Sequence, residues 1–488
     1  MERKDLTLEQ EYALQSYEEG HNIFVTGPGG TGKTCLIKQI VQSAEKRNKK
    51  IQVCAMTGCA AILLGCKATT LHSWSGLKLA KGTLEELYTM VKENKMTLKK
   101  WKYIKTLIVD EVSMLSKRLF DILNVIGQRL RNSPLPFGGI QLVFMGDFYQ
   151  LPPVGAEGDG QFCFESDQWD NVFMKDNHIA LTQLFRQKDV LYKSILNDVR
   201  VGIVNEQVVK HLTSCLNKAY DAEKNNGCVP TKLFATKQKV DEINQQMFYE
   251  LEGNPYEYEM IAKSDCNIYM ENGKSLSLET MMKCQKELTT RKKEFELEYL
   301  KNNIPCDKKI VMKKGCNVMC TVNLDLEAGI SNGSIGTIVD FAQTASIYVP
   351  IVLFSNGVKR TISVKYWQSE EYPTLAVGQI PLKLAWAMTI HKIQGATMSL
   401  AEIDIGRTIF ECGQTYVALS RVQTLEGLYL RGFDPTKIKI NPKVSAFYQK
   451  IPTLDLEEDE ETEETENADH DVKTTNLFAS FMHVEKLP

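Results

Sequence analysis

The chain has 488 residues, room for about three domains of ~150 residues each. Hydrophobic residues at 43% and charged residues at 24% exclude a mostly disordered chain, and no apolar run approaches the ~18 residues of a membrane span. The net charge of −3 hides an asymmetry, because Asp455–Asp471 holds 11 acids and no Lys or Arg, leaving 58 bases against 50 acids elsewhere. A basic body with one acidic tail does not exclude a polyanionic partner.

The thirteen cysteines are scattered, without the spacing or neighbouring His of a zinc site, and read as small buried thiols of a reducing, intracellular compartment, nuclear or cytoplasmic. The first residues, Met1-Glu2-Arg3-Lys4-Asp5, have no apolar segment behind them, and Glu9 and Glu11 add to the case against a presequence.

In chain order, Ile23-Phe24-Val25-Thr26 reads as a strand entering a Gly-rich turn, and Lys33 to Ala44 has helical spacing. Ile51–Ala55, Thr106–Val109 and Leu142–Met145 read as further buried, parallel-type strands. A Gly-, Asp- and Pro-rich loop from Leu151 to Gly160 marks a boundary, and a second α/β unit begins near Ile179. The charged stretch from Tyr256 to Lys314 is expected to be a solvated helical insertion. Short strands at Asn317–Val322, Gly336–Asp340, Ile347–Phe354 and Lys359–Val364, with Asn332-Gly333 and Asn356-Gly357 turns, suggest a small β-barrel. The α/β pattern resumes from Leu382 to Leu430, and the acidic run beyond Pro452 is expected to be disordered.

Gly27-Pro28-Gly29-Gly30-Thr31-Gly32-Lys33-Thr34 matches the phosphate-loop pattern in full. Its glycines let backbone N–H groups turn towards phosphates; Lys33 supplies charge to the outer phosphates and Thr34 a hydroxyl to Mg²⁺. Asp110 and Glu111 end an apolar strand, placing one carboxylate to hold the metal through water and one to act as general base on the attacking water. Gln150 follows another apolar strand and can report the γ-phosphate by hydrogen bonding.

These motifs, in this order, resemble those of superfamily 1B helicases, and more narrowly the Pif (petite integration frequency) DNA helicases, over Leu6 to Gly432. Leu8-Glu9-Gln10 is similar to the family's adenine-reading element, which implies a base contact for Gln10. Thr57–Ala61 and Thr69-Thr70-Leu71-His72-Ser73-Trp74 resemble its single-strand contact motif. The stretch from Asp110 through Leu119–Leu123 to Arg129 and Arg131 resembles its signature helix. Leu181–Gln187 is similar to the element whose arginine, here Arg186, reaches the γ-phosphate; Tyr416–Val422 implicates Arg421 as a second finger. Ala385–Gly395 resembles the motif coupling DNA to nucleotide, with Gln394 on the nucleotide side and Ile393 where Ser is frequent.

The resemblance implies an α/β fold of two tandem RecA-like P-loop domains with an inserted Src-homology-3-like barrel and a helical insertion. The expected boundaries are 1–178, with a short wedge at about 76–102, then 179–250, an inserted 251–376, 377–450 and a tail at 451–488. It implies an ATP- and Mg²⁺-dependent 5′-to-3′ DNA helicase on single-stranded and forked DNA, serving replication, repair, recombination or telomere maintenance. Nucleotide contacts fall to Gln10, Gly27, Gly29, Gly30, Thr31, Gly32, Lys33, Thr34 and Gln394, and metal contacts to Thr34 and Asp110. Thr70, His72, Trp74, Thr389, His391 and Lys392 are the candidate DNA contacts, Trp74 being equally open to a core reading. The acidic run reads as a solvated tail or a nucleic-acid mimic, and Leu477, Phe478, Phe481 and Met482 as a docking peptide for a replication or repair protein or a sticky end. A monomer without membrane contact is expected. A RecD-like or Dda-type helicase of the same superfamily and a DNA-binding scaffold with a vestigial ATPase are the rival readings.

Overall fold

The computed structural model describes residues 6–452 apart from 65, 78–79, 154–159, 188, 222–228, 265–276, 278–280, 283–285, 287, 326, 331, 345–346 and 370–371. The acidic run and the apolar island after it lie outside the described residues.

Six short strands build the first lobe: β1 (Ile23–Thr26), β2 (Ile51–Ala55), β3 (Thr69–Thr70), β4 (Thr106–Asp110), β5 (Gln141–Gly146) and β6 (His178–Ala180). They pair in parallel in the order β3-β2-β4-β5-β1-β6. Every residue of β1, β4 and β5 is buried, as continuous apolar runs covered on both faces must be. Strand β6 straddles the expected boundary at 178/179 and pairs with β1, so the first sheet runs through Ala180. One apolar run of three residues cannot declare its sheet; only the pairing does.

The helix Lys117–Arg131 covers one face of this sheet. A side chain on Gly127 would meet Phe137 O at 2.6 Å, so glycine is what lets the turn at Pro136–Gly138 press onto the helix. Arg131 fastens that turn: its guanidinium donates to the carbonyls of Gly138 (2.7 Å), Trp101 (2.8 Å), Lys102 (3.0 Å) and Ile104 (3.1 Å).

The sheet of the second lobe starts with β7 (Thr231–Phe234), and the chain then leaves it for ten strands. These are β8 (Tyr256–Glu259), β9 (Ile261–Lys263), β10 (Lys309–Met312), β11 (Asn317–Cys320), β12 (Ile335–Gln343), β13 (Tyr348–Phe354), β14 (Lys359–Thr361), β15 (Lys365–Gln368), β16 (Ala376–Gln379) and β17 (Leu382–Leu384). The expected barrel strands form one antiparallel sheet, β14-β13-β12-β11-β17. Tyr256 to Lys314 departs from a purely helical insertion. Among the described residues, Thr290–Asn303 is the one long helix there; β8 pairs antiparallel with β10, and β9 with β16. The Tyr-Glu-Tyr-Glu alternation of β8 has the period of a strand, but its partner lies some fifty residues on, so local pattern alone did not reveal it.

The chain re-enters the second lobe with β18 (Ala387–Thr389), β19 (Ala401–Ile405) and β20 (Leu428–Phe433), in the parallel order β18-β7-β19-β20. Since β16 and β17 belong to the inserted sheets, the re-entry falls after Leu384 and not at the expected 376/377.

Candidate active site

The end of β1 and the start of the helix Lys33–Lys46 are joined by the phosphate loop. Gly30 and Gly32 take positive φ angles of 100° and 82°, which turn the backbone around the concavity. A side chain on Gly32 would strike Gln10 Nε2 at 2.5 Å. Lys33 is half-buried beneath the loop and donates to Gly27 O (2.7 Å) and Pro28 O (3.0 Å). Burial lowers its pKa, opposed by Asp147, Glu111 and Asp110. Thr34 is exposed at the first turn of the helix.

Gln10 is buried, and its amide serves the protein at both ends. Its oxygen accepts from Thr7 N in a capping box (3.2 Å), and Nε2 donates to Thr31 O (3.1 Å). One of its two amide hydrogens is used in this bond.

Asp110 and Glu111 lie at the tip of β4 beside the loop. Burial, then the neighbouring Glu111 charge, pushes the Asp110 pKa up to about 7, against the Glu111 N–H that Asp110 Oδ1 accepts (2.9 Å) and the charge of Lys33. Glu111 has left-handed backbone angles, φ 57° and ψ 41°, a conformation that bulky residues keep only when surroundings impose it. Gln394 Nε2 donates to Glu111 Oε2 at 3.2 Å. This residue, expected on the nucleotide, thus reaches the general-base candidate from the turn after β18 in the second lobe.

Both expected fingers reach the loop. From the position of a Cβ on Gly29, Arg421 Nη2 is 3.3 Å away and Arg186 Nη1 3.4 Å. Arg421, 1% exposed, is held by Val417 O (2.9 Å), Ser420 Oγ (2.8 Å) and Ala396 O (3.5 Å). Burial and then Arg186 push its pKa down to about 9, and burial lowers that of Arg186 as well. The two cations stand close together, their repulsion countered in part by Glu111 and Tyr416. Gln150 is buried beside this site with Oε1 unpartnered among the described residues.

The oxygen donors Thr34 and Asp110 fit a hard divalent cation that draws its remaining ligands from phosphate and water. No group of three or more His, Cys, Asp or Glu side chains that could hold a metal occurs among the described residues.

The DNA candidates divide. Thr70 Oγ1 accepts from Ser73 N (3.2 Å) and Thr389 Oγ1 from Lys392 N (3.3 Å), so each lobe presents a Thr-capped turn carrying a histidine, His72 in one and His391 in the other. Burial lowers the pKa of both histidines, opposed at His391 by Glu411. His391 stacks on the exposed ring of Phe410 (6.3 Å, 19°). Trp74, open to either reading, is 2% exposed and packs on Trp101 at 4.7 Å, which favours the core. A cavity of about 230 Å³ between Thr57, Asn302, Thr321, Lys383, Lys392 and Gln394 touches both lobes and the inserted strands. A 410 Å³ groove adjoins it at Lys383, Met388 and Lys392 and continues past Thr389 to Lys237, Tyr249 and Lys309.

Sequence reasoning missed Tyr416, whose hydroxyl accepts from Gly29 N at 3.1 Å, and Gln187, whose Nε2 donates to Ser420 O at 3.3 Å. Both stand inside recognised segments, yet nothing local marks either as a partner of the loop.

A family profile described as PIF1-like helicase matches residues 5–207, and one described as DNA helicase Pif1, 2B domain, matches residues 294–341. The crystal structure of Pif1 helicase from Candida albicans is similar, with a TM-score of 0.70 and 31% identity over 92% of this chain and 99% of that one. The chain belongs to the Pif1-like helicase family. The ATP-dependent DNA helicase PIF1 of Xenopus laevis is 34% identical over 91% of this chain, which spans 64% of that relative's length. Pif1 helicase from Bacteroides in complex with ADP-AlF3 and ssDNA matches with a TM-score of 0.58 and 26% identity over 91% of this chain and 96% of that one. The two parallel sheets are therefore the RecA-like domains of a Pif1-like helicase, with the antiparallel strands inserted in the second. No helix among the described residues is long and apolar enough to cross a membrane.

Proposed function

We propose that the chain is an ATP-dependent DNA helicase that moves 5′ to 3′ along single-stranded DNA and opens duplex ahead of it. The observation that carries this reading is the convergence of Arg186 and Arg421 on Gly29. In other nucleotide hydrolases such fingers are worth ~10³–10⁵ in rate. Both come from the same chain as the loop, so one monomer completes the site.

Lys33, Arg186 and Arg421 neutralise charge on the outer phosphates, and Glu111, steadied by Gln394, takes a proton from the attacking water. Thr34 and Asp110 would hold Mg²⁺, which when bound neutralises phosphate oxygens. Gln394 follows the Thr389 turn by five residues, so a strand gripped at Thr389, His391 and Lys392 pulls on the same segment that steadies the base. The matching Thr70 and His72 turn gives the first lobe its own grip. Opening and closing of the cleft then shifts one grip relative to the other. Polarity, and a place in replication, repair or recombination, rest on the family likeness; the named relatives and the Bacteroides ssDNA complex support the substrate class.

The test is strand displacement with Mg-ATP on 5′-tailed, 3′-tailed and forked duplexes. Unwinding of 5′-tailed and forked substrates alone is expected, and Lys33→Ala should abolish it. ATP-driven unwinding that survives Lys33→Ala overturns the proposal.

A further inference from the structure

The last helix of the described chain, Pro442–Tyr448, follows the second lobe yet lands on the first. Phe447 inserts among first-lobe rings, stacking on Phe164 at 4.4 Å and meeting Phe148 at 5.4 Å and Phe24 at 5.9 Å. This packing delivers the Tyr448 hydroxyl to three polar partners: Thr26 Oγ1 at 2.6 Å, Phe148 N at 3.0 Å and Asp147 Oδ1 at 3.3 Å. A phenol has one proton and two lone pairs, and these partners use all three if Thr26 and Phe148 donate and Asp147 accepts.

Each partner leads to the nucleotide site. Thr26 is the residue before Gly27, where the phosphate loop begins. Asp147 closes the turn that carries Gln150: its carbonyl accepts from Gln150 N (2.9 Å) and its carboxylate from Tyr149 N (3.2 Å). Asp147 is fully buried and is gripped by Arg200, with Nη2 to Oδ1 at 2.8 Å and Nε to Oδ2 at 3.0 Å. Arg200 ends the helix Val190–Arg200, whose Tyr192, Ile195, Leu196 and Val199 belong to the second-lobe core. Its guanidinium lies 4.6 Å over the Tyr149 ring, which itself stacks on Tyr448 at 4.7 Å and 11°.

We infer that Tyr448 is a positioning residue for ATP hydrolysis, its hydroxyl fixing the start of the phosphate loop against the turn that carries Gln150. Tyr448, from a helix seated on the first lobe, and Arg200, from a second-lobe helix, hold one first-lobe carboxylate. Together they form a buried pivot beside the cleft, so that closure brings the fingers to the loop without displacing Gln150 from it. Losing the hydroxyl leaves Thr26 and Asp147 each short of a partner while the aromatic packing is retained. The loop and Gln150 can then shift against each other, which slows chemistry without touching the DNA grip.

This inference rests on the helicase reading above, and the test separates the two. The full chain, Tyr448→Phe and, as a second route to the same contact, Thr26→Val are assayed for ssDNA-stimulated ATP hydrolysis, ssDNA affinity and melting temperature. Both variants should lose about tenfold in kcat, as sub-ångström misplacement does, with KM for ATP and ssDNA Kd within about twofold of the parent. A parent without ssDNA-stimulated hydrolysis overturns the helicase reading itself. An active parent whose variants keep kcat within about twofold overturns only the role of Tyr448. So does a loss of kcat matched by lost DNA binding or a collapsed melting transition, since that is the mark of a merely structural strut.

Discussion

Replacing Arg421 with glutamine separates catalytic charge from structural support. At neutral pH, holding a guanidinium charged when burial and Arg186 have pushed its pKa from its ordinary value down to about 9 costs on the order of 5 kcal/mol. The three hydrogen bonds to Val417 O, Ser420 Oγ and Ala396 O return about 1 kcal/mol each, so the cation does not earn its place through stability. Arg421→Gln should therefore melt at the same temperature as the parent, or higher. Its ssDNA-stimulated kcat should fall by ~10³, about 4 kcal/mol of transition-state stabilisation, at the low end for an arginine finger because Arg186 still reaches the loop. Phosphate release at saturating ssDNA and ATP, read beside a thermal melt, measures both quantities. A kcat within about tenfold of the parent refutes the finger role. A melting temperature lower by more than about 5 °C refutes the claim that the buried cation is a net electrostatic cost.

Trp74→Ala removes a core ring packed on Trp101 and should cost ~3–5 kcal/mol in urea unfolding while leaving the ssDNA Kd of the folded protein unchanged. A large loss of DNA affinity with an intact fold would return the ring to the bases. His178 gives a pH dependence. Trp169 Nε1 donates to His178 Nε2 at 3.0 Å, which requires a bare lone pair on that nitrogen, and burial lowers the histidine's pKa. The folded state then binds this proton less readily than the unfolded chain, so its contribution to stability is complete above the unfolded pKa of about 6.5 and is lost as pH falls towards the lower folded value. Urea melts over about two pH units around that value, from about 7.5 to about 5.5, should show a smaller decline for His178→Asn than for the parent. Equal slopes would remove His178 as a source of acid sensitivity.

Much of the site was legible because its geometry is local. The glycines of 27–34 bend one turn, a helix follows at once, and the Asp110–Glu111 pair ends an unbroken apolar strand. Such features need only neighbouring residues, and the family likeness carried Arg186 and Arg421 to the same place. For Gln394 a motif names a neighbourhood but not a target atom; the fold adds the contact of its amide with Glu111. Trp74 sits in a contact motif, yet it is turned inward by Trp101, a partner from another helix.

The amino-acid order by itself determined the phosphate chemistry, the parallel strands and the family, since each is written in short runs whose meaning survives without knowing what they touch. Tertiary structure alone decided which strand closes each sheet, where the chain leaves and re-enters the second lobe, and how the two lobes are pinned together. Tyr448 meets Thr26 across 422 positions of sequence, and Arg200 meets Asp147 from the other lobe's helix. A contact of that separation depends on every packing interface between its ends, and no local periodicity records it.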